Sequence, residues 1–439
     1  MAADRSNDRY PLHKAVFEGN LRKVSTALRT CDIEERDIHG NTPLHLAVIL
    51  GRRECVYLLL AHAAPVKVKN DLGWILTGCI AISYGDRHII TSLLKKIKSQ
   101  TRNEVETRRP QLIDALKELG DFYVEITWDF QSWVPLLSRI LPSDTCKIYK
   151  RGCSVRMDST LVDFTDMKWQ RGDISFIFNG DANGEHSFAV LDNEKKVFQR
   201  LRAEESEAEI EEEVDLLMSS DIVSVYMSTK PITFSRAQGG WFWKADRTEM
   251  VGPYLADVYT VNGIMLVSRK RREHLSDEDL VKNKALMDSL SKGGNLIESI
   301  PETTRRESLK PPPKPELTWS EYLRYDIDEL PHMGRAQVLK EDRKPVKAYV
   351  AMSQEFPLSI DLVLKVLEVI APFKHFSKLK EFVAMKLPPG FPVRFEIPVF
   401  PTITAKITFQ DFNKCEKIPA SIFFIPRDYK EDPNRFPDL

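Results

Sequence analysis

At 439 residues and 50.5 kDa, with 42% hydrophobic residues, the chain is long enough for two or three domains with real cores and is not a disordered scaffold. Lysine and arginine total 63 against 64 aspartates and glutamates, a formal charge of −1, so no global basic field exists to grip nucleic acid. Ordinary glycine and proline contents exclude collagenous and low-complexity architectures. The 6 cysteines form no C-x-x-C pair, which argues against structural zinc and fits a reducing, cytosolic compartment.

The N-terminus, Met1-Ala2-Ala3-Asp4-Arg5, is polar from the start and lacks the apolar core of a secretory signal. The longest uncharged run, Leu72 to Gly85, has 14 residues including three glycines, whereas crossing hydrocarbon takes about 20 apolar residues. Arg269-Lys270-Arg271-Arg272 offers at most a peripheral membrane contact, and four cations ordinarily form a solvated strand end.

Residues 1–102 contain an internal repeat. Pro11-Leu12-His13-Lys14-Ala15 recurs as Pro43-Leu44-His45-Leu46-Ala47, 32 positions later, and the turn glycines Gly40 and Gly73 stand 33 apart. That period and the wording Thr42-Pro43-Leu44-His45 resemble ankyrin repeats. The residues make the same sense physically: Thr42 is placed to cap a helix and Pro43 sits at its first turn, where a missing N–H costs nothing. Val56, Leu59 and Leu60 supply the apolar stripe of the second helix. His13 and His45 belong to the motif and are read as hydrogen-bonding the neighbouring turn, not as metal ligands. The third copy is irregular, with Ile75-Leu76-Thr77-Gly78 where the motif wants Thr-Pro-Leu-His. Two good copies and one weak one are about the minimum for a solenoid, so the array is expected to lean on the remainder of the chain. The projecting turns make Asp37, His39, Asp71 and Leu72 the candidate partner-binding residues; the alternative is that they pack on the next repeat.

Residues 103–120 read as a helical connector, with Leu112, Leu116 and Leu119 on one face. From 121 to 268 the period changes to 2. Ile174–Phe178 and Ser187–Leu191 flank a loop of turn formers and predict a hairpin, with further strands at Cys146–Lys150, Ser154–Met157, Ile222–Met227, Pro231–Phe234 and Asp257–Val267. The acidic stretch Glu204–Asp215 predicts an exposed helix. Residues 269–316 hold no aromatic residue but many charges, Gly293-Gly294 and Pro311-Pro312-Pro313, and read as a charged mobile insertion. Order resumes over 317–430: Thr318-Trp319-Ser320-Glu321 has capping-box spacing, Ile360 to Ile370 predicts a helix buried on most sides, and Val393–Val399 with Ile403–Phe409 predict a second hairpin. Residues 431–439 form a tail. The fold class is α+β: an N-terminal ankyrin-repeat helical array, then a mainly antiparallel β-rich domain with packed helices.

No phosphate loop, G-x-G-x-x-G, G-x-S-x-G elbow or H-E-x-x-H occurs, so no catalytic, cofactor-binding or metal-ligating residue is assigned and no small-molecule substrate is expected. Asp173, Asp181 and His186 gather at one hairpin but read as turn residues. Cys146 and Cys153 read as buried free thiols. The tryptophans and phenylalanines from Trp128 to Trp243 lack the basic groove that would make them base-stacking platforms.

Four separated motifs carry a family resemblance: Trp128-Asp129-Phe130-Gln131-Ser132-Trp133 with Val134-Pro135-Leu136-Leu137-Ser138-Arg139, then Lys168-Trp169-Gln170-Arg171-Gly172-Asp173, Glu273-His274-Leu275, and Leu387-Pro388-Pro389-Gly390-Phe391-Pro392-Val393. In this order they resemble the GPCR-chaperone domain of the ankyrin repeat domain 13 family, over roughly residues 8–430. Endocytic members of that family end in ubiquitin-interacting motifs. Here the acidic stretch Glu211 to Met218 lacks the alanine and serine in register, and the chain stops at Phe436-Pro437-Asp438-Leu439, so it is similar to the C-type branch. The resemblance implies a non-catalytic chaperone, peripheral on the cytosolic face of the endoplasmic reticulum, that holds newly made G-protein-coupled receptors and controls their maturation and exit. The alternative is a trafficking adaptor that recognises ubiquitinated receptors.

Overall fold

The computed structural model describes residues 9–70, 80–132, 141–165, 168–182, 184–200, 206–228, 232–239, 245–291, 305–313, 316–325, 333–364, 387–400, 403–414 and 417–436. Four short helices open the chain: α1 (Pro11–Glu18), α2 (Leu21–Ala27), α3 (Pro43–Ile49) and α4 (Arg53–Ala61). Their ends follow from the repeat residues. The Thr42 side chain accepts the His45 N–H at the start of α3, with Pro43 in the first turn, and α1 stops at Gly19, whose φ of 71° suits glycine. The single turn α5 (Ile82–Tyr84) leads to α6 (Arg87–Glu118), capped by Asp86 through the N–H groups of His88 and Ile89. The boundary expected at 102 falls inside α6, so the connector is the second half of one helix that begins in the array. Asp71, Leu72 and the irregular Ile75–Gly78 lie outside the described residues, as do Trp133, the aromatic cluster Trp241–Trp243 and the helix expected beyond Leu364.

One 14-stranded sheet makes up most of the remainder. Strands β1 (Phe122–Ser132), β2 (Ser143–Arg151), β3 (Ser154–Thr165), β4 (Lys168–Phe178), β5 (Phe188–Asp192) and β6 (Val197–Arg200) form an antiparallel meander in chain order. After α7 (Glu207–Ser219) come β7 (Ile222–Ser228), β8 (Thr233–Arg236), a two-stranded ribbon of β9 (Gln238–Gly239) and β10 (Ala245–Asp246), and β11 (Thr248–Val251). The 18-residue β12 (Tyr254–Arg271) carries β7, β8 and β11 along one edge. A second meander runs from β12 through β13 (Leu339–Ser353) and β14 (Phe391–Phe400) to β15 (Ile403–Asn413). β15 pairs with β1 along Tyr123–Ser132, which joins the two halves into one sheet. The two-residue β16 (Lys430–Glu431) pairs in parallel with β6 at the far edge. The expected strands and both hairpins are therefore present, and the fold is α+β as read from the sequence.

The sheet curls so that the turn between β11 and β12 meets β15. Gly252, at φ +56°, sits where a Cβ would lie 2.1 Å from the Gln410 carbonyl oxygen, and the Tyr254 hydroxyl donates to the Phe412 carbonyl. Phe122, Val124, Val251, Val258, Phe356, Phe391, Val393 and Phe412 form the core within that curl.

Two expectations are corrected. The acidic helix α7 is not simply exposed: Ile210, Val214 and Met218 are buried and belong to the ankyrin core. Its apolar residues repeat at i, i+4, i+8 between the acidic ones, so composition hid an amphipathic stripe. The stretch 269–316 is not a free insertion either. It holds the end of β12, helix α8 (Asp277–Ser291), and a strap at 305–313 whose hydrogen bonds reach the array.

Candidate functional site

The ankyrin array is gripped by the rest of the chain at three places, and these decide which of its surfaces remain free. At the first, the turn before α3 is tied by its own polar residues: Asp37 Oδ1 accepts the N–H groups of His39 and Asn41, both at 2.9 Å. His13 Nε2 bonds the Asn41 carbonyl at 3.0 Å, and His45 Nδ1 closes on Thr42. His13 thus bonds the neighbouring turn as expected, whereas the bond of His45 to Thr42 belongs to the cap of its own helix. Helix α9 (Trp319–Tyr322), started by the capping box of Thr318 and Glu321, places a fully buried Tyr322 over this turn. The Tyr322 hydroxyl donates to Asp37 Oδ2 at 2.5 Å and accepts from Asn41 Nδ2 at 3.1 Å, and its carbonyl pairs with His39 Nε2 at 2.9 Å. Phe17, Trp319 and Tyr322 complete an aromatic cluster with ring centroids 5.3–5.5 Å apart. Burial pushes the Tyr322 phenol far above its ordinary range and Asp37 adds to the shift, so it remains a donor. Burial also holds the His13 imidazole below its usual value, against the pull of Asp37.

The second grip closes the end of the array. Arg87, at the start of α6, is buried and reaches α7, where its guanidinium pairs with Asp215 and with Glu211. At the third, Glu273 accepts from the Ser83 hydroxyl at 2.6 Å and from Arg271 Nε at 2.7 Å. Burial opposes ionisation of Glu273, but these donors outweigh it and keep the carboxyl below its usual range. Arg335 adds bonds from its guanidinium to the carbonyls of Ser83 and Tyr84.

The predicted partner-binding residues therefore divide. Asp37 and His39 are buried, 6% and 2% exposed, and their side chains are occupied by Tyr322 of the same chain, so they do not form a free contact surface. The reason is that α9, more than 280 residues away in sequence, docks on the turn. Asp71 and Leu72 lie outside the described residues. What the turn does present is Ile38, 40% exposed between its two buried neighbours, with Leu21 and Tyr57 also exposed on the array. Sequence reasoning missed Ile38, although an apolar residue at the tip of a polar turn was a readable signal. A cleft of about 520 Å3 lies between α1 and α2, lined by Lys14, Glu18, Arg22 and Cys31 among others.

On the sheet, β1, β14 and β15 line a polar trough of about 760 Å3 with Glu125, Asp129, Arg394, Lys406 and Asp411. Its charges are of both signs, and Arg394 is paired with Glu249 and Glu396 of the same chain. Asp173 lies within β4 rather than in a turn and accepts from the Asn193 amide beyond β5, Asp181 accepts from the Cys153 thiol between β2 and β3, and Cys146 is a buried free thiol. Among the described residues no group of three or more His, Cys, Asp or Glu is arranged to hold a metal ion, and no helix is long and apolar enough to cross a membrane.

Comparison with known proteins supplies the remaining observation. Residues 156–433 match the family model described as ANKRD13 C-terminal, and residues 2–71 match that of ankyrin repeats in three copies. Human ankyrin repeat domain-containing protein 13C is 64% identical over 430 residues, covering 98% of this chain and 79% of the relative. A Danio rerio protein 13C is 63% identical over 98% of this chain and 88% of its own length. Human protein 13B is more distant, 34% identical over 94% of this chain and 69% of its own.

Proposed function

Taking as premise that this chain belongs to the ankyrin repeat domain 13 family, we propose that it is a non-catalytic chaperone for newly made G-protein-coupled receptors. It binds their cytosolic segments at the endoplasmic reticulum membrane, to which it is peripherally attached, and regulates their maturation and exit. The observation that carries this reading is the 64% identity to a 13C protein across both the array and the sheet, against 34% to a 13B protein. Ankyrin arrays are protein-binding modules, and here the array is fastened to the rest of the chain, so both are available to a client in a fixed arrangement. We assign the client contact to the array face around Ile38 and Tyr57 together with the trough on β1, β14 and β15. Holding of this kind works by mass action, stabilising whichever receptor state is bound, and needs no nucleotide.

The test is co-precipitation of a receptor from cell membranes by the full chain and by Ile38→Asp, with immobilised ubiquitin alongside and ATP present or removed. The expected result is capture of the immature glycoform, weakened in Ile38→Asp and indifferent to ATP. Capture of ubiquitin with no preference for immature receptor would overturn the reading in favour of a ubiquitin-recognising adaptor.

A further inference from the structure

The strap over 305–310 joins four parts of the molecule through a handful of bonds. The Arg306 N–H donates to Asp215 Oδ1 at 2.7 Å, its carbonyl accepts from Arg87 Nη1 at 2.7 Å, and its guanidinium grips Asp279 of α8. The Ser308 Oγ accepts the backbone N–H of Arg87, the first residue of α6, at 3.1 Å. Leu309 donates its N–H to the Gly85 carbonyl at 2.8 Å and lies where any Cβ on Gly85 would strike its Cδ1 at 2.5 Å. The Lys310 carbonyl takes Arg335 Nη2 at 3.0 Å. Although it is bonded in this way, Ser308 is exposed.

The same residues read Arg305-Arg306-Glu307-Ser308-Leu309. Arginines two and three positions before a serine, with an apolar residue after it, are the pattern that basophilic serine kinases read through acidic pockets and one apolar pocket. We propose that Ser308 is a phosphorylation site for a kinase of this class and that the modification releases the strap from the array. The step is a phosphoryl transfer from ATP. The bond from Ser308 Oγ to phosphorus forms as the bond from the γ-phosphorus to the bridging oxygen breaks. ADP leaves with that electron pair, and the hydroxyl proton passes to the kinase's base.

Release is driven by the charges already placed around the serine. The start of α6 is occupied by a carboxylate, because Asp86 accepts from His88 and Ile89 and is paired with Arg53. The Arg87 guanidinium is committed to Asp215 and Glu211, and that of Arg306 to Asp279. A phosphate of nearly two negative charges next to Asp86 therefore meets a like charge while Arg87 and Arg306 are already committed to carboxylates. Arg335, bonded to the carbonyls of Ser83, Tyr84 and Lys310, would have to leave the strap to answer it, so the modification disrupts rather than orders. The strap also gates its own modification. A kinase must read the Arg306 guanidinium, which the docked strap holds on Asp279.

The experiment treats the full-length chain with the catalytic subunit of cyclic-AMP-dependent protein kinase and Mg-ATP, and maps phosphate by mass spectrometry. Wild type, Ser308→Ala and Asp279→Asn are compared, with Gly85→Ala as a second strap-loosening variant in case Asp279→Asn fails to fold. Phosphate is expected on Ser308, absent in Ser308→Ala, and appearing about fivefold faster in whichever strap variant folds. Hydrogen exchange is expected to rise about tenfold at the Arg87, Arg306 and Leu309 amides of the phosphorylated chain. No phosphate on Ser308 in any version would overturn the site, equal rates in the strap variants would overturn the gating, and unchanged or slower exchange would overturn the release.

Discussion

Two of the joints that fasten the array are opposite in chemistry. The Tyr322 joint is aromatic and neutral except for Asp37, and it is buried at the middle of the array. The Arg87 joint is ionic, lies at the array's end, and opens toward solvent through Glu211, 38% exposed at its side chain. A packed joint draws on area removed from water and on hydrogen bonds that must all be satisfied, so it should be indifferent to salt and costly to cut. An ionic joint offsets desolvation with paired charges, so it should respond to its partners, to salt and to pH. The array is thus held chiefly by packing at one of these joints and chiefly by charge at the other.

The largest expected effect is at the packed joint. Tyr322→Ala removes a buried ring and takes the hydroxyl away from Asp37 Oδ2 and Asn41 Nδ2, and should cost about 4 kcal/mol of stability in urea denaturation. Tyr322→Phe keeps the ring and should cost about 1–3 kcal/mol, nearly the same at low and high salt. A loss under about 1 kcal/mol for the alanine variant would mean that α9 does not hold the array. At the ionic joint, Arg87→Met leaves Asp215 buried and unpaired by its guanidinium, and should cost about 3 kcal/mol, with part recovered by adding Asp215→Asn. If the double variant is no more stable than the single one, the pair is not the joint.

Acid should sharpen the contrast. His13 and His274 both lie below the ordinary histidine value because burial disfavours their charged forms. The unfolded chain therefore binds more protons than the folded one once pH drops below about 6.5, so their contribution is full above that pH and is lost as pH falls toward the folded values. Glu273 and Asp279 are held low by their partners despite burial, so what they contribute is present above about pH 4.5 and lost only in stronger acid. Denaturation midpoints between about pH 7.5 and 5 should fall in wild type and fall less in His13→Gln, which loses one of the two histidine contributions. Parallel slopes would show that the buried imidazole beside the packed joint is not titrating.

Much of this architecture is written in local sequence. The Thr42-Pro43-Leu44-His45 wording, the alternation along Val393–Val399 and Ile403–Phe409, and the Thr318–Glu321 capping box each specify an element through residues close to one another in the chain, and each is present. The joints were not legible, because nothing local pairs Asp37 with Tyr322 or Arg87 with Asp215. Asp37 and His39 look like an exposed turn until a helix from the far half covers them, and an acidic helix looks solvated until Ile210, Val214 and Met218 are seen facing the array. Charge-rich, aromatic-free text such as 305–310 is read as mobile because it cannot bury apolar area, yet it docks through backbone groups, which composition does not report.

The smallest effect isolates what makes an ionic joint. Lys95 and Glu207 also bridge α6 and α7, at 2.5 Å, further along α6 from Arg87, but their side chains are 41% and 78% exposed. Water and salt screen such a pair in both states, and two long side chains lose freedom in holding one geometry. Lys95→Ala should therefore change stability by less than about 1 kcal/mol, and by nothing measurable at high salt. The bridged helices and the signs of the charges are the same as at Arg87, so the difference between the two substitutions reports burial together with the extra bonds that Arg87 makes to Asp215 and to the Arg306 carbonyl. Equal losses would mean that the helices are held by their net charges rather than by the buried pair, and the Arg87 joint would lose its claim to be a distinct fastening.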